Sequence, residues 1–167
     1  DETSGGSTSM VEPTTVGSFR KYSAQVSRLQ AITQTWSVFT GLAGQWASKN
    51  LDSAEKFTLG GARGVRAYPA AEAVTDEGLI FNAELRWWLN PSWSTYAFYD
   101  AGHAKLQKQQ NLAGSNTRSL HGYGLGVQFS DPQLFTLKAT LGVRGSEPVQ
   151  SEADSRSRLL VQVQRAF

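Results

Sequence analysis

The residues best suited to specific chemistry are an arginine and an aspartate in two different settings. Arg66 lies in a glycine-rich stretch, residues 59–69, whose glycines permit unusual backbone conformations and whose Pro69 fixes one dihedral angle. Asp100 interrupts an apolar and aromatic run, residues 96–102. Because an arginine and a carboxylate can form two parallel hydrogen bonds, Asp100 is a candidate partner for the guanidinium of Arg66. In a water-filled lumen such a pair contributes only about 1 kcal/mol, and more where water is excluded, so we expect it to fix the position of a loop more than to stabilise the fold.

The remaining titratable residues give weaker signals. We expect Glu72, Asp76 and Glu77 to be solvated, because an exposed loop provides no burial that would separate their pKa values. His103 and His121 are isolated in the sequence and have no third ligand, so we expect no metal site. The chain has no cysteine, which excludes disulfides and thiolate catalysis. We therefore predict that the protein is not an enzyme and uses no cofactor.

The elements that must position these residues are strands. In five stretches of about ten residues, apolar and polar side chains alternate, so each strand has one apolar and one polar face. In the clearest stretch, residues 79–89, the polar face carries Asn82, Glu84 and Arg86, and the apolar face carries Leu79, Phe81, Ala83, Leu85, Trp87 and Leu89. A membrane-spanning strand needs about 9–11 residues, apolar towards lipid and polar towards the lumen. The pattern predicts an all-β fold, a transmembrane antiparallel β-barrel.

The links between the strands alternate in length. Short links occur near residues 31–35, 90–93 and 130–134, the last two with Pro91 and Pro132 as turn formers. Long links occur near residues 48–78, 107–118 and 145–157. Outer-membrane barrels have short turns on the periplasmic side and longer loops outside. Counted from Val16, the alternation predicts seven strands.

The polar face of the predicted wall carries the residues of interest. Asp100 is expected to face the lumen together with Phe98 and Gly102, because the opposite orientation would expose the charge to hydrocarbon. Three alternating glycines are expected to leave the lumen face thin where another element packs, and these are Gly122, Gly124 and Gly126. The tryptophans are expected near strand ends, at the membrane interface, and these are Trp36, Trp46, Trp87, Trp88 and Trp93.

Composition agrees with a barrel wall. Of the 167 residues, 40% are hydrophobic, the formal net charge is +2 and the mean hydropathy is -0.36. No run of 18 or more apolar residues occurs, which excludes helical membrane spans, and nothing indicates a nucleic-acid partner. The polar opening, residues 1–9, and the odd number of strands predict a C-terminal piece of a longer protein, since single-chain bacterial barrels have an even number of strands.

Two segments resemble the motifs of a known family. Residues 60–68 resemble the Val-Arg-Gly-Tyr/Phe loop motif, and residues 98–102 the Phe/Gly-x-Asp-x-Gly strand motif, of the two-partner secretion transporters. These are outer-membrane proteins of the haemolysin secretion/activation type in the Omp85 superfamily. The resemblance runs in order over nearly the whole chain and includes the segments at residues 76–78 and 84–86 and the terminal Phe167. The chain has Ala67 where the loop motif usually has glycine, and we expect this small side chain to fit.

The resemblance implies a barrel of sixteen strands, of which residues 1–167 supply the last seven as the C-terminal part of one translocator domain. It implies that the motif loop, residues 60–68, folds from outside into the pore and brings Arg66 to Asp100. Phe167 would be the last residue of the C-terminal strand signal by which bacterial barrels are recognised for assembly. The implied site residues are Gly60, Gly61, Val65, Arg66, Ala67 and Tyr68 of the motif loop, Phe98, Asp100 and Gly102 of the partner strand, and Phe167.

The implied function is export, without ATP, of a large haemolysin, adhesin or toxin across the Gram-negative outer membrane. The implied partners are the secreted exoprotein, outer-membrane lipid and the barrel assembly machinery, and the implied form is a monomeric barrel. Periplasmic POTRA domains, absent from this segment, would receive the exoprotein. The alternatives are a barrel-assembly factor of the same superfamily, a passive porin or adhesin barrel, and a soluble β-sandwich lectin.

Overall fold

The polypeptide forms one antiparallel sheet whose strands follow one another along the chain. The computed structural model describes residues 18–110, 114–131 and 133–165. The seven strands of this sheet are β1 Lys21–Ala31, β2 Trp36–Ala47, β5 Glu77–Trp88, β6 Trp93–Lys105, β7 Thr117–Ser130, β8 Thr136–Arg144 and β9 Ser157–Gln164. The loop after β2 contains a short 3-10 helix, Ser53–Glu55, and a two-stranded hairpin of β3, Phe57–Thr58, and β4, Val74–Thr75. Among the described residues, no helix has the length and apolar character needed to cross a membrane.

The connections confirm the predicted meander. Each of the seven strands pairs antiparallel with its neighbours in the order β1-β2-β5-β6-β7-β8-β9. Short links at residues 32–35, 89–92 and 131–135 alternate with long links at residues 48–76, 106–116 and 145–156. The first strand begins at Lys21, and the predicted Val16 start and Pro132 turn former lie outside the described residues. The short turns therefore lie at one end of the sheet and the long loops at the other.

The two faces of the sheet differ as the alternation predicts. One face exposes large apolar side chains, among them Leu125 and Leu159, which are 64% and 66% exposed. Their neighbours on this face include Leu42, Leu79, Phe81, Leu85, Tyr99, Tyr123, Leu141, Val161 and Val163. An exposed apolar face this extensive is suited to lipid.

Aromatic side chains gather where the sheet meets its short turns. Trp36 and Trp87 stack with their ring centroids 5.6 Å apart and their planes 5° from parallel. Trp93 and Phe129 form a second pair at 5.0 Å, and Phe129 also contacts Phe135. Tryptophan is enriched where a barrel meets the headgroup region, so these pairs mark one membrane boundary.

The opposite face of the sheet is covered by the loop after β2. Its core joins Leu59, Val65, Ala67 and Tyr68 of this loop to the inward side chains Ile80, Ala104 and Leu120 of the sheet and to Val149 of the loop after β8. The apolar interior therefore lies between the sheet and the loop that carries Arg66.

Candidate functional site

The motif loop has a tight internal structure. The backbone N–H groups of Gly64 and Tyr68 donate to the carbonyls of Gly61 and Val65, each at 3.0 Å. Gly61 has φ +92°, which a residue with a side chain rarely adopts. A Cβ on Gly64 would lie 2.1 Å from the carbonyl oxygen of Leu59. The glycines therefore allow a compact loop that presents Arg66 at a defined place.

Arg66 meets Asp100 of β6 through three hydrogen bonds. The Nε–H donates to Asp100 Oδ2 at 2.9 Å, Nη2 donates to Oδ1 at 2.7 Å, and the backbone N–H of Arg66 donates to Oδ2 at 3.0 Å. Asn82 of β5 supports the carboxylate through Nδ2, which is 2.8 Å from Asp100 Oδ1 and 3.0 Å from the carbonyl oxygen of Gly64. The structure thus brings together the arginine and the aspartate that the sequence singles out.

A second carboxylate completes this arrangement, which we call the Arg66 seat (Arg66, Asp100 and Glu84). Arg66 Nη1 donates to Glu84 Oε1 on β5. The other oxygen of Glu84 accepts from Arg86 Nε at 2.7 Å, and Lys138 Nζ lies 3.9 Å from Oε1. The alternation of the sequence puts Glu84 on the lumen face but does not indicate this role. The register contains the signal, because Glu84 pairs with Phe98 and so lies diagonally across from Asp100.

Phe98 and the small residues shape the surroundings of the seat. The guanidinium carbon of Arg66 lies 3.9 Å from the centroid of the Phe98 ring, a cation–π contact. A Cβ on Gly102 would lie 2.8 Å from a methyl group of Leu59, and one on Gly122 would lie 2.6 Å from Ala67 Cβ. The lumen wall is therefore thin where the motif loop packs.

Two expectations about small residues need refinement. Ala73 is the only described residue other than glycine with a positive φ. The φ of Ala67 is therefore not positive, and this position does not require glycine for its backbone conformation. The side chains nearest to a Cβ added at Gly124 and Gly126 are the rings of Phe98 and Tyr96, so these two glycines make room for aromatic side chains of the wall instead of the loop.

The Arg66–Asp100 pair lies where water is excluded, which is the case in which its contribution exceeds that of a pair in a wet lumen. The side chain of Arg66 is 6% exposed and that of Asp100 is fully buried. Removing one partner of a buried pair leaves the other charge without compensation, which costs about 3–5 kcal/mol. The pair therefore matters more for holding the loop than a solvated pair would.

Comparison with known proteins identifies the family. The model of the haemolysin secretion/activation protein family ShlB/FhaC/HecB matches residues 4–129. The chain belongs to this family. Its members are Gram-negative outer-membrane transporters of two-partner secretion, and this chain is an outer-membrane β-barrel segment.

Individual relatives of the ShlB/FhaC/HecB family match over most of this chain. The heme/hemopexin transporter protein HuxB of Haemophilus influenzae (strain 86-028NP) is 31% identical over 148 residues, which cover 84% of this chain and 25% of HuxB. The outer membrane transporter CdiB of Dickeya dadantii is 28% identical over 142 residues, which cover 82% of this chain and 25% of that protein. The chain thus spans about a quarter of the length of these relatives.

Two solved structures share the fold. CdiB from Escherichia coli superposes with a TM-score of 0.70 and 21% identity over 89% of this chain and 28% of its own. CdiB from Acinetobacter baumannii superposes with a TM-score of 0.62 and 19% identity over 86% of this chain and 27% of its own. The sheet is therefore part of a barrel of the CdiB type.

Two acidic residues of this family member are not solvated, which corrects the sequence-based expectation. Glu72 is 1% exposed and accepts hydrogen bonds from Arg118 Nη2 at 2.7 Å and from the Ser151 hydroxyl at 2.8 Å. Asp76 is fully buried and accepts from the backbone N–H groups of Leu51 at 3.1 Å and Lys108 at 2.9 Å. Both acids therefore tie loop segments together.

Glu77 is part-buried and pairs with Lys108 Nζ at 2.6 Å.

The pKa of Glu72 reflects two opposing effects. Burial raises it, but the hydrogen bonds from Arg118, Gln150 and Ser151 outweigh burial and hold it below the usual value.

The remaining predicted residues have simple surroundings. His103 Nδ1 lies 2.8 Å from the hydroxyl of Ser119. Within the part of the chain that the structure describes, no group of three histidine, cysteine or acidic side chains is arranged to hold a metal ion. Phe167 lies outside the described residues.

Proposed function

We propose that the full-length protein secretes a large partner exoprotein, of the haemolysin, adhesin or toxin type, across the Gram-negative outer membrane without ATP. In this proposal the chain supplies the last seven strands of a sixteen-stranded translocator domain. Periplasmic POTRA domains outside this segment receive the partner. Membership of the ShlB/FhaC/HecB family and the names of the matched relatives, which are transporters, support this proposal.

The observation that carries the mechanism is the buried Arg66 seat. Arg66 is held by Asp100 on β6 and Glu84 on β5, so the motif loop lies against the wall that the exported chain must pass. The Arg66 contacts can be formed or broken, which gives the motif loop a closed and an open state. We call this arrangement a latch. We propose that the latch holds the loop in the pore at rest and that the loop shifts during export.

The test is an export assay with the complete protein and its partner. Arg66→Ala and Asp100→Ala should each impair export, and the double variant should be no worse than the worse single variant, because both changes break the same interaction. Arg63→Ala is the matched control, since Arg63 is an exposed arginine of the same loop. Unchanged export in both single variants would reject the latch.

The alternative functions predict different outcomes in cells that produce the complete protein and its partner. A passive porin needs the motif loop only as a fixed constriction, so Arg66→Ala would change ion conductance while partner export stayed absent in every variant. If the protein were a barrel-assembly factor, Arg66→Ala would impair the assembly of other outer-membrane proteins. Partner export that depends on Arg66, with normal assembly of other barrels, separates secretion from both.

A further inference from the structure

The loop after β8 lies across the outer part of the motif loop. We call residues 145–156 the strap. The hydroxyl of Tyr68 donates to the carbonyl oxygen of Glu147 in the strap at 2.8 Å. Val149 of the strap is 8% exposed and packs in the same apolar cluster as Val65 and Tyr68. The strap therefore both covers and contacts the motif loop.

The strongest contact between the strap and the loop region is at Glu72, which follows the motif loop in the chain. Its carboxylate accepts from the backbone N–H groups of Gln150 at 3.1 Å and Ser151 at 3.0 Å, in addition to the Ser151 hydroxyl. Buried carboxylates with several donors are held firmly, because the charge would otherwise lose its solvation without compensation. The tip of the strap thus encloses the end of the Glu72 side chain.

Arg118 fixes this contact to the barrel wall. Arg118 extends from β7, and its Nη2 donates to Glu72 Oε1 at 2.7 Å and to the carbonyl oxygen of Pro148 at 2.6 Å. Its Nη1 lies 3.5 Å from a carboxylate oxygen of Glu147. One guanidinium therefore joins the wall, the strap and the chain segment that leaves the motif loop.

The strap also has internal bonds that maintain its shape. Asp154 accepts from the backbone N–H of Val149 at 2.9 Å and from Arg144 Nη2 at 2.7 Å. These contacts close the strap into a compact loop anchored to the end of β8. Its tip is consequently held in position above Glu72.

We propose that the strap is a second fastening of the motif loop, at a place separate from the Arg66 seat, and that Glu72 and Arg118 are its positioning residues. Arg66 is held from β5 and β6, whereas Glu72 is held from β7 and the strap. Loss of the Arg66 contacts therefore leaves the outer end of the loop region attached. If the loop shifts during export, as the proposed function requires, both fastenings must open.

Two buried reporters distinguish the fastenings in the purified full-length protein, without any partner. Val149→Cys reports on the strap and Val65→Cys on the motif loop. This segment has no cysteine of its own, and any cysteine elsewhere in the full-length protein is replaced by serine. The rate of modification by a maleimide is measured for each reporter in combination with Glu72→Gln or Asp100→Asn. Glu152→Gln is the matched control, because this strap glutamate pairs with Arg158 of β9 instead of the loop.

Glu72→Gln should raise the modification rate at position 149 by about tenfold and leave position 65 unchanged, and Asp100→Asn should do the reverse. Glu152→Gln should change neither rate. Equal increases at both positions, as general destabilisation would give, or no increase at position 149, would overturn the inference. If Glu72→Gln prevents folding, Ser151→Ala removes one donor to Glu72 and should raise only the rate at position 149. The modification assay contains no partner protein, so its result does not depend on export. If Arg66→Ala left export unchanged in the separate export assay, the proposed function would be rejected and the modification result would still stand.

Discussion

Replacing Arg66 should release the motif loop locally without unfolding the barrel. Asp100 is fully buried, and Arg66→Ala removes two of its side-chain hydrogen bonds, at 2.9 and 2.7 Å. Breaking such a pair costs about 3–5 kcal/mol. Asn82 continues to donate to Asp100, and Arg86 continues to neutralise Glu84, so we expect the lower end, about 3 kcal/mol. This corresponds to about a hundredfold increase in local opening.

Hydrogen–deuterium exchange of the full-length protein in detergent measures this opening directly. Protection of the hydrogen-bonded amides of Gly64, Val65 and Tyr68 should fall about a hundredfold in Arg66→Ala and less than about threefold in Arg63→Ala. Amides in the middle of β6 and β7 should keep their protection. Equal losses in the two arginine variants, or a loss below about fivefold in Arg66→Ala, would refute the conclusion that the buried pair holds the loop.

Three further outcomes are expected. Gly122→Val should displace the motif loop, because even a Cβ there would lie 2.6 Å from Ala67, and single-channel recordings in planar bilayers should show a larger conductance. The pKa of Glu72 is held below its usual value, so the contact of Glu72 with the strap is fully present above about pH 4.5. This contact should weaken as the pH falls through the lowered pKa. Amide exchange at Ser151, corrected for the intrinsic rate, should therefore accelerate only on the acid side of that pKa. Leu125→Arg on the lipid face should destabilise the barrel by about 2–4 kcal/mol and reduce the heat-modifiable folded form in gels, whereas Gln128→Arg on the lumen face should not.

The strands and their faces could be predicted from the sequence because a strand's side-chain period is fixed at two residues. An apolar stripe such as that of β5 has only one orientation that avoids placing Glu84 and Arg86 in lipid. Link lengths then gave the order of the strands, since short turns leave no choice but antiparallel neighbours. The exact strand ends depend on local turn geometry and were predicted only approximately.

The candidate site could be predicted in part. The pairing of Arg66 with Asp100 followed from charge and from the resemblance to a family, but the position of Glu84 beside them depends on the register between β5 and β6, which alternation alone does not give. Glu72 was expected in solvent and is buried, because its donors Gln150 and Ser151 lie 78 and 79 residues away in the chain. No local pattern around Glu72 indicates that a distant loop will cover it.

The side chains around the Arg66 seat have a consequence for what the pore can carry. Two acids, Asp100 and Glu84, share the wall with two bases, Arg86 and Lys138, so the formal charge of these four side chains sums to zero without Arg66. If the loop shifts as proposed, these four side chains leave a patch of the wall with no net formal charge. If the full-length protein exports a polypeptide, as proposed, stretches of either charge would meet neither a trap nor a barrier at this patch.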